Sequence, residues 1–289
     1  MATGNAKIIL SGEHAVLGGA RALVWPYGVG AVAKADPRMD RWTVNDVTRH
    51  EMDAPLAALF AALGIRMGGR ATLCVPAGVG LGVSAALGVA IARAVAPEAS
   101  EPELRAAAMA WEQCSHGRAS GVDVAAAMAD QPLLFQMGSP PMSLTASAMD
   151  VWIQPVVVEA APPTADVVAR VQRWASVHTV EWRSFCEASD ARSQAMRDAL
   201  ECGAVMRLAE CMNEAHVGLQ HIEVTTPATN AAVMRLLFAG ALGAKISGAG
   251  GGGLVVALVL NHSLQQVREA AERMGGTVLA AMPLGGTGT

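Results

Sequence analysis

An apolar run, Ala71-Thr72-Leu73-Cys74-Val75, leads straight into Pro76-Ala77-Gly78-Val79-Gly80-Leu81-Gly82-Val83-Ser84, and an alanine-rich stretch follows to about Ala94. Glycines at alternate positions between a strand and a helix constrain this chain more than any other feature. Glycine reaches positive φ and lets the main chain approach whatever lies opposite. The helix start behind it offers unpaired N–H groups and a positive dipole end, which suits a phosphate. The helix itself has to end before Pro97. No lysine follows the glycines, so the GxxxxGK[ST] loop is excluded, and the spacing is not that of the GxGxxG dinucleotide fingerprint. A glycine-lined turn that only packs helix on strand is the ligand-free reading of the same residues.

Around this loop the first half alternates strands and helices. Lys7–Leu10, Ala22–Val24 and Trp42–Val47 have strand character, and Ala54–Leu63 reads as a short helix. Ser100-Glu101-Pro102-Glu103 is a capping-box signature for a helix that carries Glu112 and stops at Gly117. Ser120 opens another helix, Gly121–Ala129. Gly138-Ser139-Pro140-Pro141 and the Ser/Thr-rich stretch to Ala148 form a loop, which sets the expected boundary between domains 1–148 and 149–289. The second half opens with a strand, Val151–Val158, and continues with three or four helices between Thr164 and Ala239, broken near Gly203 and Val224–Pro227. Leu254–Leu260 is a buried strand, Ser263-x-x-Gln266 caps a last helix ending at Gly275-Gly276, and Thr277–Ala281 closes the chain. The pattern is α+β in two lobes.

Composition narrows the function. Of 289 residues 52% are hydrophobic but only 4% aromatic, so the core is built from Ala, Val and Leu. That mix excludes a disordered tail, a collagen repeat and a coiled coil. Lys+Arg is 21 against Asp+Glu 25, a net charge of -4 that argues against a nucleic-acid partner. The five cysteines form no CxxC pair and read as reduced thiols in a cytoplasmic protein. No signal peptide is expected, because Gly12-Glu13-His14 interrupts the apolar start, and Leu254–Leu260 is far too short for a membrane span. Only Lys7, Lys34 and Lys245 are lysines; the other cations are arginine.

Two further segments are hard to dismiss. Lys7-Ile8-Ile9-Leu10-Ser11-Gly12-Glu13-His14-Ala15-Val16-Leu17 places a Glu-His pair at a strand end, which is either a polar site or an ordinary surface turn. Lys245-Ile246-Ser247-Gly248-Ala249-Gly250-Gly251-Gly252-Gly253 ends in four glycines before a valine-rich strand. Such a run is costly in chain entropy and should lie against another backbone or a ligand.

In this order the three segments resemble the signature motifs of the GHMP kinase superfamily. Ala15-Val16 after Gly12-Glu13-His14, together with Glu112-x-x-x-His116-Gly117-x-x-Ser120-Gly121-Val122-Asp123, is most similar to its mevalonate kinase branch. Met212-Asn213-Glu214-x-His216 and Gly240-Ala241-Leu242-Gly243-Ala244-Lys245 also fit. The chain departs from the pattern at Val83, where a serine is usual, at Gly4-Asn5-Ala6, which replaces Ala-Pro-Gly, and at Arg118-Ala119, which replaces Asn-Pro.

The resemblance implies a two-lobed fold, with an N-terminal lobe like domain 2 of ribosomal protein S5 and a ferredoxin-like C-terminal lobe. It implies ATP and Mg²⁺ as cofactors and transfer of phosphate to the 5-hydroxyl of mevalonate, in the mevalonate pathway of isoprenoid synthesis. Gly78, Val79, Gly80, Leu81, Gly82, Val83 and Ser84 would cradle the nucleotide phosphates, and Ser84 with Glu112 would hold Mg²⁺. Asp123 is implied as general base and Lys7 as its cationic partner near the acceptor oxygen. Glu13 and His14 would bind the acceptor, while Ser247 and Gly248 would close over it or brace the phosphate loop. Each assignment has a plainer reading: a solvated lysine for Lys7, a solvated carboxylate for Glu112, and a capping box for Ser120-x-x-Asp123. Other acceptors, phosphomevalonate first, and a non-catalytic binding protein of the same fold are the competing functions. A homodimer is the expected assembly, with no membrane partner.

Overall fold

The computed structural model describes residues 1–117 and 119–285. Arg118 and the last four positions of the expected second domain, Gly286–Thr289, lie outside the described residues. By compactness the chain forms two units: Met1–Ile8, Trp25–Ala77 and Leu81–Asp130 make the first, and Ile9–Val24, Gly78–Gly80 and the described residues from Gln131 onward make the second. The stretch Gly138–Ala148 lies within the second unit, which also recruits two earlier pieces of chain.

β1 (Ala2–Ser11), which belongs to the first unit as far as Ile8, pairs with β2 (Ala22–Asp36), which belongs to it from Trp25. β3 (Trp42–Val44) turns back into β4 (Val47–Thr48), and α1 (Asp53–Leu63) leads to β5 (Gly68–Leu73). The expected single strand Trp42–Val47 is this tight hairpin, because Asn45 and Asp46 both take positive φ, 50° and 62°. Such a two-residue turn matches the twist of the paired strands. β5 joins β2 antiparallel and β3 parallel. Three helices complete the unit: α2 (Val83–Val95), α3 (Glu101–His116) and α4 (Val122–Met128).

Nearly every residue of α2 is buried, which its alanines and Gly88 permit: the Trp111 ring of α3 lies 2.8 Å from where a Cβ at Gly88 would stand. As expected, Glu103 reaches back to the N–H of Ser100 (2.8 Å) to cap α3. The apolar core joins Ala31, Ala33, Leu59, Ala90, Ile91 and Trp111.

In the second unit, Ala22–Val24 of β2 pairs with β6 (Leu133–Phe135), which pairs with β7 (Met142–Ser143). Then come β8 (Val151–Glu159), α5 (Thr164–Val177), α6 (Thr179–Cys202), α7 (Val205–His221) and α8 (Pro227–Phe238). Two of the three breaks fall where expected, since Gly203 takes a left-handed C-cap and Thr226-Pro227 starts α8, whereas the break at His178 between α5 and α6 is not among those expected. The chain continues through β9 (Gly243–Ser247), β10 (Gly253–Leu260), α9 (Leu264–Arg273), β11 (Thr277–Val278) and β12 (Met282–Pro283). An antiparallel sheet runs β11-β8-β10-β9, with β12 also on β8.

Two expectations need correction here. Ser263 makes no side-chain cap, because a 3-10 turn over Asn261–Ser263 precedes α9. The closing strand is only Thr277–Val278, since the chain leaves the edge of β8 and rejoins it at Met282. Among the described residues no helix is long and apolar enough to cross a membrane.

Candidate active site

In the first unit the polar groups gather where β1, α2, α3 and α4 meet. Lys7 is only 3% exposed, and its Nζ stands 3.4 Å from Asp123 Oδ1. Its stem runs along Gly82: a Cβ there would lie 3.0 Å from both Lys7 Cγ and Cε, and the φ of 68° also favours glycine. The backbone N–H of Lys7 donates to Leu81 O (2.9 Å), which fixes the glycine loop to β1. Asp123 belongs to the first turn of α4, whose N-cap is Gly121 at φ 88°. Ser120 Oγ instead accepts from the N–H of Val122 (3.3 Å), so the capping-box reading does not describe this helix start.

Beside this pair, Ser84 Oγ donates to Glu112 Oε1 (2.6 Å) and accepts from the indole N–H of Trp111 (3.2 Å). Glu112 is buried, and burial first, then the Asp123 charge, pushes its carboxyl up to about 7. The Ser84 hydrogen bond and the Lys7 charge act the other way. His116 Nε2 is 3.8 Å from Glu112, and burial lowers the pKa of its ring against the pull of Asp123. A buried carboxylate with a hydroxyl beside it is an oxygen donor set that fits a hard cation such as Mg²⁺. Among the described residues no three His, Cys, Asp or Glu side chains group as a metal site, so phosphate and water oxygens would have to complete the shell.

The second unit builds a separate polar cluster around the turn after β1. Lys245, on β9 and fully buried, bonds the Glu13 carboxylate and donates to Ile9 O (3.1 Å) and Ile246 O (2.6 Å). His14 is held at φ 56°, a strained conformation for a non-glycine residue. Its Nε2 donates to Ala249 O (2.8 Å). Burial lowers its pKa to about 4, the Ala249 bond opposes this, and the Arg170 charge adds to it. The ring is therefore neutral near pH 7, and with the proton on Nε2 its Nδ1 is the acceptor nitrogen.

Ser247 Oγ accepts from the N–H of Ile9 (2.9 Å). Gly80 and Gly248 face each other so closely that a Cβ on Gly80 would meet Ser247 O at 2.7 Å. The four-glycine run lies against backbone: a Cβ on Gly250 would meet Val224 O at 2.2 Å, and one on Gly252 would meet Ala160 O at 2.4 Å. Arg21 adds a clamp, its guanidinium and backbone N–H both binding Asp190 of α6.

Two family models cover most of this machinery: "GHMP kinases N terminal domain" matches residues 53–131 and "GHMP kinases C terminal" matches 196–278. The chain belongs to the GHMP kinase superfamily. A mevalonate kinase of Aeropyrum pernix is 30% identical over 200 residues, 68% of this chain and 62% of the relative, so that match spans under two thirds of the relative's length. A mevalonate kinase of Archaeoglobus fulgidus is 29% identical over 272 residues, covering 89% of this chain and 92% of that one. The fold matches the crystal structure of L. major mevalonate kinase in complex with R-mevalonate with a TM-score of 0.83 at 23% identity, over 96% and 94% of the two chains.

Within this member of the superfamily the candidates named from sequence fall into two groups. Lys7, Leu81, Gly82, Val83, Ser84, Glu112 and Asp123 come together in the first unit, while Gly78, Val79, Gly80, Glu13, His14, Ser247 and Gly248 lie in the second. Lys7 and Glu112 are buried rather than solvated, and His14 does not sit in a surface turn. Ser247 and Gly248 serve as braces for β1 and the glycine loop. Sequence reasoning missed Lys245 as the partner of Glu13. The available signal was a lysine between Ala244 and Ile246 in a chain with three lysines.

Proposed function

We propose that the chain is a cytoplasmic, ATP- and Mg²⁺-dependent kinase that phosphorylates the 5-hydroxyl of mevalonate. The observation that carries this reading is the ion pair between buried Lys7 and Asp123, set beside the Ser84–Glu112 pair. In the reaction the acceptor hydroxyl gives its proton to Asp123 Oδ1 as its oxygen attacks the γ-phosphorus, and the bond to the ADP oxygen breaks. Lys7 stabilises negative charge on the attacking oxygen, and its buried stem leaves it little freedom to move. Ser84 and Glu112 would hold Mg²⁺ with the nucleotide phosphates; when bound, the ion neutralises phosphate charge. The glycine loop and the start of α2 offer N–H groups to the phosphates. His14 would accept a hydrogen bond from the acceptor at Nδ1, and Glu13 would fix the turn that presents it.

The names of the relatives favour mevalonate over other acceptors. A panel of mevalonate, phosphomevalonate, galactose and homoserine with saturating Mg-ATP tests this directly. Mevalonate should be used far better than the others; preferential use of phosphomevalonate would reassign the acceptor. Asp123→Asn and Lys7→Met should each lower kcat by roughly 10²–10⁴-fold while nucleotide binding persists. Turnover retained in both variants would refute the proposed mechanism, and no turnover with any acceptor would favour a binding protein.

A further inference from the structure

Thr3, Asn5 and Lys7 alternate along β1 and therefore share one face of the strand. Lys7 meets the first turn of α4 through Asp123, and Asn5 meets its far end: Asn5 Nδ2 donates to Ala129 O (2.7 Å), with Asp130 Oδ1 at 3.5 Å. Two strand residues advance about 6.7 Å and six helical residues about 9 Å, so strand and helix can run side by side with an attachment at each end. Arg93, in the last turn of α2, closes the arrangement. Its Nη1 donates to Thr3 O (2.8 Å) and its Nη2 to Met128 O (3.0 Å), so one guanidinium ties β1 to the end of α4.

Two of the carbonyls that Arg93 and Asn5 satisfy, Met128 O and Ala129 O, are those that the end of α4 leaves without helical partners. Asn5 stands in the Gly4-Asn5-Ala6 segment that departs from the family pattern, and the proline usual there has no side-chain donor. Gly4 fits the same seam, since a Cβ on it would meet Ala86 O of α2 at 2.0 Å.

We infer that Arg93 and Asn5 are positioning residues that hold α4 in register against β1, so that Asp123 meets Lys7. The inference rests on the kinase reading above for its effect on rate, and on geometry alone for its effect on α4. Misplacing a reacting group by about 1 Å can cost about 10²-fold in rate. Lysine at 93 keeps the charge but cannot bridge two carbonyls as a planar fork does.

The test uses the full chain with Arg93→Lys, Asn5→Ala, and each combined with Asp123→Asn. Arg93→Lys should lower kcat about 10–100-fold and Asn5→Ala several-fold, with KM for ATP within about twofold of the parent. Because both act through Asp123, neither should lower kcat further in the Asp123→Asn background. Unchanged kcat in Arg93→Lys, or the same proportional loss with and without Asp123, overturns the inference.

Hydrogen exchange over residues 122–129 gives a readout that needs no turnover. Exchange there should quicken about tenfold or more in Arg93→Lys while α3 is unchanged; undisturbed protection of α4 overturns the inference even if rate falls. If the parent phosphorylates no acceptor, the kinase reading fails, and the exchange data alone decide whether the staple exists.

Discussion

Replacing Glu112 by glutamine isolates the charge that the first unit buries. The carboxyl of Glu112 rises from an ordinary 4.5 to about 7, mainly through burial. That rise corresponds to about 3 kcal/mol of preference for the neutral form in the fold. A carboxyl raised in this way binds its proton more readily folded than unfolded. Its contribution to stability is complete below about pH 4.5 and is lost as pH climbs to about 7.

Glutamine cannot ionise, yet its side-chain carbonyl can still accept from Ser84. The stability of Glu112→Gln relative to the parent should therefore grow by about 3 kcal/mol between pH 5 and pH 8 when no divalent cation is present. For a chain of this size that is roughly 6–9 °C in Tm at about 2–3 °C per kcal/mol. Calorimetric melting in chelator at pH 5, 6, 7 and 8 measures it. Adding Mg-ATP should narrow the gap at pH 8, because the parent gains binding energy that the variant lacks. A gap that stays flat with pH, or that shrinks toward pH 8, would refute the argument that Glu112 is a desolvated anion in wait of a cation.

Lys245→Met should destabilise the chain by about 3–5 kcal/mol, because it leaves the Glu13 carboxylate buried without its partner. The double variant Lys245→Met with Glu13→Gln should recover much of that loss in urea denaturation, and equal losses in both would show that the pair is not coupled. Val83→Ser, which restores the usual family residue, should cost about 1–2 kcal/mol rather than raise activity. The Val83 side chain is only 7% exposed, so a hydroxyl there is buried and two methyl groups are lost. A gain in kcat with unchanged Tm would overturn that expectation.

What could be read from the sequence depended on whether the partners of a residue were close along the chain. The glycine loop, the capping box of α3 and the breaks at Gly203 and Pro227 depend on neighbours within a few positions, and all form as read. The strand assigned to Trp42–Val47 failed for a local reason, since Asn45-Asp46 is a turn pair that strand propensity alone overlooks.

The candidate site was legible where a motif names its residue and illegible where the partner is distant. Nothing near Glu13 in sequence announces Lys245, 232 positions away, and nothing near Asn5 announces Ala129, 124 positions away. The first contact satisfies a charge that packing has removed from water and the second a carbonyl at a half-buried helix end, and both needs arise only once the chain is folded. The plain reading of Ser120-x-x-Asp123 as a cap was also open on the sequence. It gives way because Gly121, free to take positive φ, starts the helix one residue later and leaves Asp123 for Lys7. A residue in the first turn of a helix can spend its carboxylate on that helix or on another element. Here the choice is made by a lysine whose stem is already fixed against Gly82.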